Sequence, residues 1–235
     1  MAEDGDAAKI AGGNARPSTI GAVLHAAALY DLQVWLATLG REGAFREKVL
    51  GLARLQPGEA VLDVGCGTGT LAIVAKRQVG PTGTVYGIDA SPEMLARAQK
   101  KARKAGVDVV LKNALAQALP FPNATFDAVL TTVMLHHLPR KARQQCAAEM
   151  RRVLKPGGRV LAVEFGLAAR EQKGLLAHFH RHGHVKLSDI ISLLSEAGLN
   201  IVESGAVGFR DLQFVLAQVP SVSDSGAIVT NGSKP

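Results

Sequence analysis

Residues 61–72 read VLDVGCGTGTLA, and this stretch decides the fold. It starts as a short apolar strand, and three glycines then follow at alternate positions: Gly65, Gly67 and Gly69. Asp63 places a carboxyl group two residues before the first of these glycines. A glycine turn that leads into a helix lets the backbone approach a ligand, because the first N–H groups of the helix point toward it. The stretch therefore predicts a ligand site at the carboxyl end of the first strand.

The rest of the chain alternates between apolar strands and helical patterns. Helices are predicted over 70–78, 92–105, 140–154 and 187–197, and strands in EAVLDVG, TVYGIDA, VDVVLKN, FDAVLTTVM, RVLAVEF, NIVESGA and RDLQFVLAQ. This alternation favours a parallel sheet with helices on both faces. No helix separates the last two strands, which indicates an antiparallel edge. The predicted class is α/β: a Rossmann-like, seven-stranded, mostly parallel sheet with an antiparallel last strand.

Composition places the chain among globular proteins. Of its 235 residues, 47% are hydrophobic and 20% are charged, which suits one domain with a full core. The apolar segment 20–40 contains His25, Asp31 and Gln33, so it does not predict a membrane span. The start of the chain is unlike a signal peptide, and two cysteines give no disulfide or metal pattern. We therefore expect a cytoplasmic protein without a transmembrane segment.

The two ends of the chain differ in composition from its middle. Residues 1–18 and 221–235 carry no periodic apolar face, so we expect a flexible N-terminal segment and a flexible tail. Residues 19–220 are expected to form the single domain.

Asp89 supplies a second carboxyl group at the end of the next strand, twenty positions after Gly69 (89 − 69 = 20). This spacing suits a carboxylate that binds both ribose hydroxyls of a nucleotide. A dinucleotide fingerprint would have its third glycine one position later, and Asp63 would repel a pyrophosphate. Neither Tyr30 nor Tyr86 has a lysine four residues later, as one type of hydride-transfer site requires. The turn therefore favours a zwitterionic amino-acid tail with a sulfonium over a dinucleotide.

The segments VLDVGCGTG, VYGIDASPEML, ALPFPNATFDAVL and RVLKPGGRVLAVEF resemble the successive motifs of class I S-adenosylmethionine-dependent methyltransferases. Within that superfamily they are similar to the branch that contains the ubiquinone/menaquinone-biosynthesis C-methyltransferases and related small-molecule methyltransferases. The resemblance covers about residues 29–165. It implies a methyltransferase domain over 19–220 with a substrate cover near 166–186, S-adenosyl-L-methionine as the donor, and S-adenosyl-L-homocysteine as the product.

The resemblance also implies which residues surround the donor. The glycine turn and Asp63 would hold its methionine part, Asp89 its ribose hydroxyls, and the Asn113 carbonyl would accept from the adenine amino group. Tyr30 would close over the methionine tail, although it could equally pack in the core. The expected donor-binding residues are Tyr30, Asp63, Gly65, Cys66, Gly67, Gly69, Asp89, Ala90, Met94, Asn113, Ala114 and Thr131.

The segment MLHHLP follows the fourth strand, where residues that face the substrate lie in this superfamily. The quinone-pathway enzymes typically have Arg-Asn where this chain has His136 and His137, so a quinone acceptor does not follow from the resemblance. An imidazole, with an ordinary pKa of ~6.5, can take a proton from a phenol, enol or amine. His137 and His136 are therefore the candidate catalytic residues, and the alternative role for each is a wall of the pocket.

The expected acceptor is a small molecule, methylated at carbon, oxygen or nitrogen by in-line displacement. Nucleic-acid amino-methyltransferases have an Asn/Asp-Pro-Pro-aromatic motif that this sequence lacks, so nucleic acid is disfavoured as a partner. The alternative is a methyltransferase-fold protein that modifies or binds a macromolecule such as RNA through basic helices, given the net charge of +7. The stretch HFHRHGH, residues 178–184, favours a substrate cover over a metal site. No metal is expected, and a homodimer is left open.

Overall fold

The computed structural model describes residues 42–166, 185–209 and 211–221. The helices are α1 (Glu42–Ala53), α2 (Thr70–Val79), α3 (Pro92–Ala105), α4 (Arg140–Val153) and α5 (Leu187–Glu196), with a 3₁₀ turn at Leu135–His137. The strands are β1 (Ala60–Val64), β2 (Thr84–Asp89), β3 (Val110–Asn113), β4 (Phe126–Thr132), β5 (Leu154–Phe165), β6 (Asn200–Ala206) and β7 (Leu212–Gln218). Tyr30, the predicted N-terminal segment, all of the predicted tail except Ser221, and nearly all of the predicted substrate cover lie outside the described residues. No helix within the described ranges is long and apolar enough to cross a membrane.

The strands form one seven-stranded sheet in the order β3-β2-β1-β4-β5-β7-β6. Neighbours among β1 to β5 run parallel, whereas β7 runs antiparallel to both β5 and β6. The predicted class, with its antiparallel last strand, is confirmed. Within the closing pair, β7 lies inside the sheet and β6 forms the edge. The side chains of β7 are mostly buried and those of β6 mostly exposed, so the more apolar strand takes the position that is covered on both sides.

Local signals account for the start of α3. Ser91 caps α3, since its Oγ accepts the Met94 N–H at 3.3 Å, and Pro92 occupies the first turn. Helix α1 was not predicted, although its buried residues Phe45, Val49, Leu50 and Ala53 have helical spacing. The strand β5 begins at Leu154, several residues before its predicted start, because KPGG joins the strand.

The core has one cluster on each face of the sheet. Helices α4 and α5 cover one face, and α1, α2 and α3 contribute to the cluster on the other. In β1, Leu62 lies in the α4/α5 cluster and Val61 in the opposite one, so Asp63 shares the face of Val61. By the same alternation, Glu164 of β5 shares the face of Ala162, which packs against α4 and α5. The two buried carboxyl groups at this end of the sheet therefore lie on opposite faces.

Candidate active site

The glycine turn between β1 and α2 is packed too closely to accept side chains. Gly65, Gly67 and Gly69 have φ angles of 74°, 54° and 75°, in the left-handed region that favours glycine. A Cβ atom added at Gly65 would lie 2.3 Å from Met134 Cγ, and one added at Gly69 would lie 2.7 Å from Ala98 Cβ. The contact with Met134 brings the loop after β4 against the turn. The predicted donor-binding turn and the predicted catalytic loop therefore meet at the carboxyl edge of the sheet.

Asp89 connects the loop after β1 to the loop after β2 at this edge of the sheet. Its Oδ2 accepts the Gly67 N–H at 2.9 Å, and its Oδ1 accepts the Ser91 N–H at 2.8 Å. Burial raises the pKa of Asp89, and the hydrogen bonds from the Ser91, Gly67 and Ala90 backbone oppose this rise. Each carboxylate oxygen can accept more than one hydrogen bond, and the side chain is only half-buried. Asp89 therefore keeps acceptor capacity for ribose hydroxyls while it holds the glycine turn.

Asn113 stands beside Asp89, at the end of β3. Its Nδ2 donates to the Asp89 carbonyl at 2.9 Å, and the Ala114 N–H donates to the same oxygen at 3.2 Å. The amide nitrogen is thus used within the fold, which leaves the exposed amide oxygen as the acceptor of this side chain. This orientation suits the predicted contact with an amino group.

The structure brings some of the remaining predicted donor-binding residues to this edge and buries others. Ala90 is half-buried next to Asp89, and the Cys66 N–H donates to the Ile88 carbonyl at 2.8 Å. Met94 is 2% exposed and Thr131 is 1% exposed. Thr131 lies inside β4, opposite Ala162 of β5. A direct contact between the Thr131 side chain and a ligand would therefore need a rearrangement of the core.

Asp63 lies beneath the glycine turn and is 2% exposed. Burial raises the pKa of its carboxyl group from 3.8 to about 7, the positive charge of Arg46 on α1 opposes the rise, and the charge of Asp89 adds to it. The Ala72 N–H at the start of α2 donates to the Asp63 carboxyl group. Asp63 therefore braces the first turn of α2.

This buried carboxyl group should make stability depend on pH. Because its pKa is about 7 in the folded chain and 3.8 ordinarily, the folded state keeps a proton that the unfolded state releases. The stability contributed by Asp63 should be complete below pH ~4 and be lost as pH rises toward 7, by an amount on the order of 4 kcal/mol. Denaturant unfolding of the wild type and of Asp63→Asn between pH 4 and 8 measures the difference. A difference that is constant over this range would show that Asp63 stays ionised.

Glu164 organises the loop after β4. Its Oε1 accepts the Met134 and Leu135 N–H groups at 2.8 Å and 2.6 Å, and its Oε2 lies 2.8 Å from His136 Nδ1. The side chains of His136 and Glu164 are 12% and 2% exposed. Glu164 was not among the predicted site residues. Its signal was one acid in the apolar run VLAVEF, since a charge in a buried strand requires a partner.

The predicted catalytic histidines lie against each other. The ring centroids of His136 and His137 are 3.9 Å apart with an interplanar angle of 44°, and the Phe165 ring lies 6.1 Å from His136. Both histidines follow Met134, whose side chain contacts the glycine turn at Gly65. The structure thus places the imidazoles on the loop that adjoins the predicted donor site.

The two cysteines are free and buried. Burial raises the pKa of Cys146 to about 12 and that of Cys66 well above its ordinary value, so neither is a thiolate at neutral pH. Within the described ranges, no three His, Cys, Asp or Glu side chains are grouped as metal ligands. The histidines from His178 to His184 lie outside those ranges.

Residues 61–158 match the family model of the methyltransferase domain. The chain resembles the solved structure of an S-adenosylmethionine-dependent methyltransferase from Aquifex aeolicus, with a TM-score of 0.65, 26% identity, and coverage of 74% of this chain and 89% of that one. The [4+2]-cyclase SpnF shares the fold at a TM-score of 0.63 and 21% identity, with coverage of 76% of this chain and 80% of that one. The chain therefore contains a methyltransferase domain with the fold of class I S-adenosylmethionine-dependent methyltransferases.

Within this class the chain resembles the enzymes named ubiquinone/menaquinone biosynthesis C-methyltransferase UbiE. It is 35% identical to the one from Bordetella avium over 156 residues, or 66% of this chain and 60% of the relative. It is 38% identical to the one from Ralstonia pickettii over 147 residues, or 62% of this chain and 60% of the relative. The matched region therefore spans less than two thirds of these relatives.

Proposed function

We propose that this protein uses S-adenosyl-L-methionine to methylate a small-molecule acceptor at carbon, oxygen or nitrogen. The observation that carries the proposal is the junction of the glycine turn with Asp89, whose carboxylate binds Gly67 on one side and Ser91 on the other. This junction stands next to the two histidines, through the contact between Gly65 and Met134.

The residues present fit the donor. The turn at Gly65, Gly67 and Gly69 would hold the methionine part, because a glycine backbone can approach a ligand without a side chain in between. Asp89 would hold the ribose, and the amide oxygen of Asn113 would accept from the adenine amino group. The donor supplies an electrophilic methyl group on a positively charged sulfur. The protein's part is to align an acceptor with this methyl group and to keep water away from it.

The basic helices are partly engaged within the fold, which weakens the RNA alternative. Lys101 Nζ donates to the Thr68 and Thr70 hydroxyls at 2.9 Å and 2.5 Å. Arg152 Nε, on α4, binds Glu149 at 2.7 Å. No separate observation supports binding of a macromolecule. A homodimer and a cytoplasmic location stay predictions.

A donor-consumption screen tests the proposed function. The protein should bind S-adenosyl-L-methionine with a Kd on the order of micromolar, or about 8 kcal/mol. It should then release S-adenosyl-L-homocysteine only with certain members of a panel of phenols, quinols, amines and prenyl or sterol-like lipids. Mass spectrometry should find the acceptor heavier by one methyl group. Absence of donor binding at ~1 mM in calorimetry would overturn the proposal.

A further inference from the structure

We propose that Glu164 and His136 form a carboxylate–imidazole dyad. In this dyad His136 is the general base for an acceptor whose nucleophilic oxygen or nitrogen still carries its proton. This inference rests on the proposed methyl transfer and narrows its substrate class. The fitting acceptors are neutral hydroxyl or amine compounds, with phenols as the representative class, rather than molecules that arrive as anions. Glu164 is the positioning residue, and His136 is the group that would touch the acceptor.

The hydrogen bonds of Glu164 decide the tautomer of His136. An ionised carboxylate can only accept hydrogen bonds, so His136 Nδ1 carries the proton and donates it across 2.8 Å to Oε2. In the neutral ring the lone pair is then on Nε2, which is the atom able to accept a proton. Because Glu164 is 2% exposed, water does not compete with this bond.

Glu164 is itself fixed by the backbone. Its other oxygen accepts the N–H groups of Met134 and Leu135 at 2.8 Å and 2.6 Å, so the carboxylate cannot rotate without losing these two hydrogen bonds. The single oxygen Oε1 is enough to bind both N–H groups at the start of the 3₁₀ turn. The second carboxylate oxygen is engaged by His136 alone among the contacts described, and this bond fixes the direction of the ring.

The dyad lies where an acceptor has to approach. The 3₁₀ turn follows β4, Glu164 is near the end of β5, and Met134 between them lies against Gly65 of the predicted donor turn. The His136 ring is bonded to Glu164 through Nδ1. Its centroid lies 3.9 Å from that of the His137 ring and 6.1 Å from that of the Phe165 ring. A ring held in this way keeps one orientation, which a general base requires. Because the bond from Nδ1 to Glu164 fixes both the tautomer and the direction of the His136 ring, we assign the base to His136.

The reaction step balances without an added reagent. A hydroxyl acceptor gives its proton to His136 Nε2 while an electron pair of its oxygen forms the bond to the methyl carbon. An amine forms this bond with its own lone pair and gives the proton to Nε2 once its nitrogen is positively charged. The bond between that carbon and sulfur breaks, and sulfur keeps the electron pair. The imidazolium then loses its proton to water, which returns His136 to the neutral form.

The first test reads the tautomer without any turnover. In ¹⁵N-labelled wild-type protein at pH 8, the His136 ring should carry its proton on Nδ1. In Glu164→Gln the amide oxygen can still accept the Met134 and Leu135 N–H groups, but the amide NH₂ faces His136 and donates to Nδ1. The proton should therefore move to Nε2. A wild-type proton on Nε2, or the same tautomer in both proteins, would overturn the proposal.

The second test uses turnover with the acceptor that the screen identifies. Glu164→Gln and His136→Gln should each lower kcat by ~10²–10⁴-fold with KM changed less than about threefold, as expected when a general base is lost. His136→Gln leaves the bonds between Glu164 and the backbone intact, so it remains informative if Glu164→Gln does not fold. His137→Gln should cost less than His136→Gln. Wild-type kcat in His136→Gln, or a larger loss in His137→Gln, would refute the assignment of the base.

Two controls separate the dyad from the proposed function. Glu59→Gln makes the same chemical change at the ion pair with Arg159, which measures 2.7 Å and lies at the start of β1, away from the site. It should change neither kcat nor the His136 tautomer. Donor binding by calorimetry should be unchanged in Glu164→Gln and His136→Gln. A wild type that binds no donor would refute the proposed function, whereas normal donor binding and full turnover in both variants would refute only the dyad.

Discussion

Gly65→Ala is expected to lower the free energy of unfolding by roughly 2–5 kcal/mol. An alanine with φ near 74° costs ~1–2 kcal/mol, because its Cβ crowds the backbone. The same Cβ would lie 2.3 Å from Met134 Cγ, and overpacking of this kind costs ~1–3 kcal/mol more. The displaced Met134 should also disturb the histidine loop. Denaturant unfolding measures the stability, and calorimetry with S-adenosyl-L-methionine measures the effect on the site.

Two further variants separate the causes of this loss. Gly106→Ala has a similar φ of 65° with no heavy atom within 4 Å of the added Cβ, so it should show the backbone cost alone. In a double-mutant cycle, Met134→Ala should restore the part of the stability that the contact with Met134 removes from Gly65→Ala. Equal losses in Gly65→Ala and Gly106→Ala would show that the turn yields to the side chain and that packing against Met134 is unimportant.

Asp89→Ala is expected to weaken binding of S-adenosyl-L-methionine by roughly ten- to 150-fold. The substitution removes the proposed acceptor of the ribose hydroxyls, and a hydrogen bond to a charged group contributes ~1.5–3 kcal/mol. It also leaves the Gly67 and Ser91 N–H groups without their acceptor, so the glycine turn loses its support. Calorimetry measures the affinity, and the melting temperature measured without the donor reports the structural part.

The matched control is Asp108→Ala, which removes the same charge from an exposed position just before β3. This position is at the amino ends of the strands, whereas Asp89 is at the carboxyl ends. It should bind the donor as the wild type does. Asp89→Asn should lie between wild type and Asp89→Ala, because an amide keeps one of the two oxygens. Unchanged affinity in Asp89→Ala would remove Asp89 from the donor site and leave it a purely structural role between the two loops.

The fold was predictable because its signals are local. The run VLDVGCGTG, the cap at Ser91 and the repeated alternation of strand and helix each depend on residues close in sequence. The position of β7 was not predictable in this way, since it depends on which of two strands has the more apolar pair of faces. Helix α1 had helical spacing of apolar residues, but no motif drew attention to it.

The sequence by itself determined the α/β class, the glycine turn and the two carboxyl groups at Asp63 and Asp89, because glycine spacing and strand ends can be read along the chain. Only the tertiary structure places Asp63 and Glu164 on opposite faces of the sheet, where their carboxyl groups have different surroundings. Asp63 lies on the face of α1, where burial raises its pKa to about 7. Glu164 lies on the other face, 28 residues after His136 and 2.8 Å from its Nδ1. This pairing arises because β4 and β5 are neighbours in the sheet, and a hydrogen bond between adjacent strand ends has no signature in the spacing of residues along the chain.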